Sequence, residues 1–362
     1  MPAPTPRPGI LEITPYKPGK SPARGGAHAF KLSANESALG ASPKAVAAFE
    51  AAGASLFLYP DGAATELRKA IAGAHGLDAD RIVCGAGSDE ILQLIARAYA
   101  GPGDNIVQSE HGFLVYALAA KACGAVVRFA PEENLTANVD ALLAAVDENT
   151  RIVFLANPNN PTGTYMPEAE LRRLREYLRD DILLVIDAAY AEYMEAADYV
   201  DGAALVEENG NVVMTRTFSK IYGLAAARLG WGYCPPAIAD VLNRIRGPFN
   251  VTAGAQAAGL AALEDQDFIQ RNRAFNRKER EIMLQRLGGL GLDCAPAHGN
   301  FILFRAPGGE KEAKALCAFL AENGVLIREM GEYRLPDYLR VSIGAEAANA
   351  KFLTLMQEWR ER

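Results

Sequence analysis

The chain has 362 residues, half of them hydrophobic and 22% charged, which is enough apolar side chain for a large core and a length that points to about two domains. Its formal net charge of −7 leaves no basic excess to neutralise nucleic-acid phosphates, so no nucleic-acid partner is expected. The five dispersed cysteines show neither a zinc spacing nor a disulfide framework, the start MPAPTPRPGI lacks a signal-peptide core, and no apolar run reaches the ~18–20 residues of a membrane span, so a cytoplasmic protein without a metal or membrane partner is expected.

In chain order, the proline-rich start reads as an irregular arm over residues 1–42 that packs on a smaller domain. SPKAVAAFEAA then has a helical period, with Ser42 as N-cap and Pro43 at the first position, and TELRKAIAGAHG is a second amphipathic helix after the turn that carries Tyr59. From Arg81 short apolar runs alternate with helical periods: RIVCGAG with SDEILQLIARAY, NIVQ with FLVYALAAKACG, AVVRFA with NVDALLAAV, RIVFLAN with PEAELRRLREYLRD, then ILLVIDAAY and NVVMTRTFSK. That alternation predicts an α/β fold, a mostly parallel sheet covered by helices on both faces, over residues 43–250. After Pro235 come AIADVLNRIR, one long helical stretch from about Ala253 to Leu287, and FILFRA, EAKALCAFLAENG, VLIREM and YLRVSIG before a last helix. These predict a smaller α+β domain over residues 251–362, joined by the arm.

Ligands of open parallel sheets sit at the carboxyl ends of the strands, and four chemically distinctive clusters fall there. GAGSDE places Gly87, Ser88 and Asp89 between a strand and a helix, where glycine admits a close anion and the helix start supplies N–H donors. It lacks the third glycine of a dinucleotide fingerprint, so a monophosphate fits better. NPNNPTG is a rigid turn, which by itself sets no orientation for Asn160, although an amide there could donate to a ring hydroxyl. IDAAY sets Asp187 at the end of an all-apolar strand, where a carboxylate needs a cation or a strong donor, with Tyr190 three residues on. TRTFSKIYGLAAARLGWG holds a lone Lys220 behind Thr217 and Ser219, and Arg228 eight residues later. The hydroxyls and the arginine make a phosphate site beside an amine kept nucleophilic by desolvation. EHGFLVY offers Phe113 or His111 as a flat lid over a planar ring. Arg328 and Arg340, the latter inside the apolar run LRVSIG, suit bidentate recognition of an anionic substrate group.

Together, and in this order, these clusters resemble the fold-type I pyridoxal-phosphate aminotransferases, most closely the histidinol-phosphate aminotransferases, from TPYKPG through LRVSIG. The resemblance implies pyridoxal 5′-phosphate as cofactor, with Lys220 linking to it and shuttling a proton. Asp187 would pair with the pyridine nitrogen, Asn160 and Tyr190 would bond the ring hydroxyl, and Phe113 would stack on the ring. Gly87, Ser88, Asp89, Thr217, Ser219 and Arg228 would hold the phosphate, joined by Tyr59 from the second chain of a homodimer. Tyr16, Asn35, Tyr59, Asn160, Arg328 and Arg340 would line the substrate pocket. Two departures stand out: DAAY for the commoner DEAY, and Phe113 where many relatives have tyrosine, which keeps stacking and loses a hydroxyl.

The implied activity is ping-pong transamination of L-histidinol phosphate with 2-oxoglutarate, giving imidazole-acetol phosphate and glutamate in histidine biosynthesis. Two alternatives share the cofactor: an aromatic amino acid aminotransferase, and a decarboxylase of a phosphorylated amino acid such as threonine phosphate. A nucleotide-binding protein using GAGSDE alone would explain neither Lys220 nor Asp187.

Overall fold

The structure, a computed structural model, describes residues 6–7, 9–15 and 29–362. After a short strand β1 (Phe30–Lys31) and helices α1 (Pro43–Ala52) and α2 (Thr65–His75), strands and helices alternate. They run β2 (Ile82–Gly85), α3 (Ser88–Tyr99), β3 (Asn105–Ser109), α4 (Leu114–Cys123) and β4 (Val126–Ala130). A small hairpin of β5 (Glu132–Glu133) and β6 (Thr136–Ala137) precedes α5 (Val139–Ala144), β7 (Thr150–Ala156), α6 (Glu168–Tyr177), β8 (Leu183–Asp187), α7 (Ala203–Glu208) and β9 (Val212–Thr217). Ser42 caps α1 by accepting from the Lys44 amide, and Asn138 caps α5 by accepting from the Ala141 amide.

Five strands pair in parallel in the order β9-β8-β7-β3-β4. One strand the sequence did not announce, β10 (Gly230–Tyr233), runs antiparallel between β9 and β2. Its four residues GWGY include two glycines, which weaken any local strand preference; pairing on both sides is what makes it a strand. Because β10 points the other way, the residues that enter it lie at the rim where the parallel strands end. Period-2 side-chain alternation then feeds two cores: Leu184 and Ile186 of β8 join one apolar cluster, and Leu183 and Val185 join the cluster on the opposite face.

The second half begins with α8 (Pro236–Ile245) and α9 (Ala253–Glu264). The long helix expected from Ala253 is broken at Asp265, whose backbone leaves the helical region, and α10 (Gln266–Gly289) starts afresh. Ser42 donates a hydrogen bond to the Asp265 carboxylate, so the break is fixed by a partner distant in sequence. Then come β11 (Phe301–Arg305), α11 (Gly309–Glu322), β12 (Val325–Leu326), β13 (Arg328–Glu329), β14 (Tyr338–Ser342) and α12 (Glu346–Arg360). β11, β14 and β13 form an antiparallel sheet over an apolar core of their own. The described part of the arm divides between the two bodies. Arg7 donates to the Ala122 carbonyl on α4 (2.8 Å), whereas β1 pairs in parallel with β12 and the Ser342 amide donates to Leu32 (2.8 Å).

At Gly230 the entry to β10 presses on the start of α3: a Cβ there would lie 2.2 Å from the Ser88 amide nitrogen. Gly230→Ala therefore forces the sheet and helix apart, an overpacking cost of about 1–3 kcal/mol. Thermal unfolding should show a lower midpoint for Gly230→Ala than for Gly210→Ala, a position with open space around it; equal midpoints would refute the close packing.

Candidate active site

A cavity of about 290 Å³ opens at the carboxyl end of the sheet, between the large body and the small one. The strand ends deliver its walls. Ser88 and Asp89 follow β2, Phe113 follows β3, Asn160 follows β7, Asp187 ends β8, Thr217 ends β9 with Ser219 and Lys220 just beyond, and Arg228 precedes β10. The small body adds Arg328 from β13 and Arg340 from β14, and Asn35 comes from the segment after β1. Tyr190 lines the same space.

At one end the donors converge. Arg228 adopts a left-handed backbone (φ 52°), costly for a residue with a side chain, and its guanidinium reaches Ser219 Oγ (3.3 Å), the Ala225 carbonyl (3.1 Å) and Asp89 Oδ2 (3.3 Å). Gly87, with φ 84°, holds a backbone conformation that L side chains rarely adopt, and a Cβ there would push on the Arg228 guanidinium (2.5 Å to Nη2). Thr217 Oγ1 accepts from the Ser219 amide (3.1 Å), which turns the chain out of β9 toward Lys220. The amides at the start of α3, the two hydroxyls and the guanidinium make an anion cradle. Lys220 stands next to it, its Nζ 5.6 Å from the centre of the Tyr190 ring.

At the other end Asp187 is 4% exposed. Its carboxylate accepts from Tyr116 Oη (2.8 Å) and Thr215 Oγ1 (3.3 Å). Burial pushes its pKa up to about 6, against the pull of those two hydroxyls. The Tyr116 phenol is in turn held well above its usual range by burial and by the neighbouring carboxylate. Tyr116 and Thr215 escaped the sequence reading because an apolar helix face and a strand interior read as core. The signal was spacing: Tyr116 lies one helical turn beyond Phe113, and its ring stacks on Phe154 (4.8 Å).

The remaining residues are held from several segments at once. Asn35 Nδ2 donates to Tyr190 Oη (2.9 Å), while the Asn35 backbone is tied to Ser342 and Asn300 of the small body. Arg340 donates to Asn160 Oδ1 and to the Ser33 carbonyl (3.2 Å). A guanidinium only donates, so this contact orients the Asn160 amide. Arg328 pairs with Glu332 (3.2 Å) and lies beside the Tyr333 ring. His111, the other lid candidate, faces away and bonds the Tyr333 carbonyl. Tyr59 is 81% exposed, stacked on Phe249 (4.5 Å), and outside this chain's cavity. Tyr16 lies outside the described residues.

An open α/β sheet whose strand ends bring a lysine, a buried aspartate and an anion cradle to one cavity matches a known class. Residues 27–356 match the class I and II aminotransferases, and the chain belongs to that pyridoxal-phosphate-dependent family. It is 52% identical over 359 residues to the histidinol-phosphate aminotransferase of Rhodospirillum centenum and 54% identical over 360 residues to that of Paramagnetospirillum magneticum, with 99% of both chains covered in each case. It is also similar in structure to the histidinol-phosphate aminotransferase from Sinorhizobium meliloti solved in complex with pyridoxal-5′-phosphate. That likeness has a TM-score of 0.89 at 29% identity, over 93% of this chain and 92% of the other.

The raised pKa of Asp187 carries a stability signature. Below the ordinary carboxylate pKa near 4 the group is protonated folded or unfolded and costs nothing. As pH rises through about 6 the folded protein must hold a desolvated carboxylate, and the full penalty applies above that. Asp187→Asn is therefore expected to stabilise the cofactor-free protein at pH 8 by up to about 3 kcal/mol, and to leave it unchanged at pH 4. Denaturant titrations at the two pH values measure this. A gain of equal size at both would contradict the assignment.

Proposed function

We propose that this aminotransferase acts on L-histidinol phosphate with 2-oxoglutarate, by a ping-pong mechanism with pyridoxal 5′-phosphate, in the histidine biosynthesis of a cytoplasm. The observation that carries the reading is the convergence of Lys220, Asp187 and the Arg228 cradle on one cavity whose outer wall bears Arg328 and Arg340. Identity above 50% across full-length histidinol-phosphate aminotransferases supports the substrate. Among the described residues no helix is long and apolar enough to cross a membrane.

The donor set fits the cofactor. Arg228, Ser219, Thr217, Ser88 and the amides beyond Gly87 would hold its phosphate, with Asp89 orienting Arg228. Asp187 would face the pyridine nitrogen, Asn160 and Tyr190 the ring hydroxyl, and Phe113 one face of the ring. Pyridoxal phosphate, when bound, supplies an electron sink that makes the Cα proton of an amino donor removable. The Lys220 amine would take the Cα proton and return it on the cofactor side of the amino nitrogen. Asp187, held as an acceptor by Tyr116 and Thr215, offers a charged partner to a protonated ring nitrogen. Such a pair relieves the desolvation that Asp187 bears alone. Arg340 and Arg328, with Asn35 and Tyr16, bind the substrate's phosphate or carboxylate; the same two cations can serve the phosphate ester in one half-reaction and the dicarboxylate in the other.

The cradle retains the cofactor while Lys220 is released to act as a base. Lys220→Ala should thus lose transamination by about 10²–10⁴-fold or more while still binding the cofactor non-covalently. Coupled assay of glutamate formation, with bound cofactor measured after gel filtration, tests both halves. Substantial turnover by Lys220→Ala would sink the assignment.

A homodimer completes the reading. Leu56, Phe57, Leu58 and Tyr59 form an exposed apolar run beside exposed Phe249, a surface that calls for a protein partner. In the dimer Tyr59 would reach the partner's cofactor phosphate. Tyr59→Ala should weaken cofactor retention about ten- to a hundredfold, the worth of one charge-assisted hydrogen bond, although Tyr59 lies outside its own chain's cavity. Equilibrium dialysis measures this, and unchanged retention would remove Tyr59 from the site.

A further inference from the structure

His111 is a buried polar side chain that the reaction does not use, and it sits on the seam between the two bodies of the molecule. Its Nδ1 is 2.8 Å from the Tyr333 carbonyl oxygen; a carbonyl only accepts, so Nδ1 carries the hydrogen. The His111 backbone is fixed from two further sides. Its amide donates to Glu132 Oε1 (3.1 Å), and its carbonyl accepts from Asn159 Nδ2 (3.3 Å), one residue from Asn160. The imidazole is therefore held rigidly by the large body and aimed at the small one.

What it holds there matters for the site. Tyr333 closes a tight turn, Gly331–Tyr333, in which the amides of Tyr333 and Leu335 both donate to the Met330 carbonyl. That turn carries Glu332, the ion-pair partner of Arg328, and its Tyr333 ring lies beside the Arg328 guanidinium and lines the cavity. A small apolar cluster at the same place spans the seam. Met330, Tyr333 and Leu335 of the small body pack with Leu114, the residue after Phe113. In the cluster Leu114 supplies contact area but no direction, whereas the His111 bond fixes the distance and orientation of the turn.

We propose that His111 is a positioning residue for substrate binding: its Nδ1–H pins the turn around Tyr333 to the cofactor-binding body and so places Arg328 to receive the substrate's anionic group. The inference rests on the reading of this cavity as the substrate site. It assigns His111 no contact with cofactor or substrate and no part in proton transfer.

Asparagine puts an amide N–H close to where the imidazole has Nδ1, whereas the glutamine amide reaches the position of Nε2. The test compares His111→Ala, His111→Asn and His111→Gln in the full chain with pyridoxal phosphate added. For histidinol phosphate, Ala and Gln should raise KM about tenfold with kcat within about threefold of the parent, and Asn should recover most of the loss. Bound cofactor should be the same in all four proteins. Hydrogen–deuterium exchange over residues 330–335 should be faster in Ala and Gln than in the parent and Asn. A KM that does not move, a Gln variant as good as Asn, or exchange unaltered in Ala each overturns the proposal. Failure of the parent to turn over histidinol phosphate would overturn the substrate reading instead, and the exchange comparison would still decide whether His111 pins the turn.

Discussion

A carboxylate at the end of a fully buried strand is the constraint around which the site is built. Asp187 ends β8, the central strand of the seven, and its described side-chain partners are the hydroxyls of Tyr116 and Thr215. Hydrogen bonds of that kind hold a buried charge without neutralising it, so the folded protein keeps an acceptor that burial has made costly. In the proposed function a cationic ring nitrogen would relieve that cost, and cofactor affinity and the electron-withdrawing power of the ring would then have one electrostatic origin.

The rest of the fold serves to bring opposite chemistry to the same rim. Parallel pairing places the ends of β3, β7, β8 and β9 on one side, β2 brings its end there across the reversed β10, and β10 brings Arg228 there by its beginning. The close approach of Gly230 and Gly87 to Ser88 and Arg228 locks the anion cradle to the sheet edge. The small body is fastened by contacts that run through the site itself. Arg340 bonds Asn160, Asn35 bonds Tyr190, and His111 bonds Tyr333, so the residues proposed to face the substrate and those proposed to face the cofactor share their supports.

Charged residues in apolar surroundings were legible from the sequence, because a charged Asp187, Lys220 or Arg340 in such a run demands a reason. The alternation of strand and helix was legible for the same physical cause: each element must bury one face. Other features were not. β10 exists by virtue of its neighbours and not of its own residues. Tyr116 looks like core until its hydroxyl is seen on Asp187. The break at Asp265 is bonded by Ser42, more than two hundred residues away, and has no proline or glycine beside it to mark it. Tyr59 was singled out by resemblance alone, and the single chain leaves it exposed.

The central claim is that Lys220 is the amine that engages the cofactor. It is tested most directly by treating the protein with pyridoxal 5′-phosphate, reducing with borohydride, and mapping the modified peptide by mass spectrometry. One phosphopyridoxyl group per chain, on Lys220, is expected. A protein left unmodified, or modified mainly on another lysine, would contradict it.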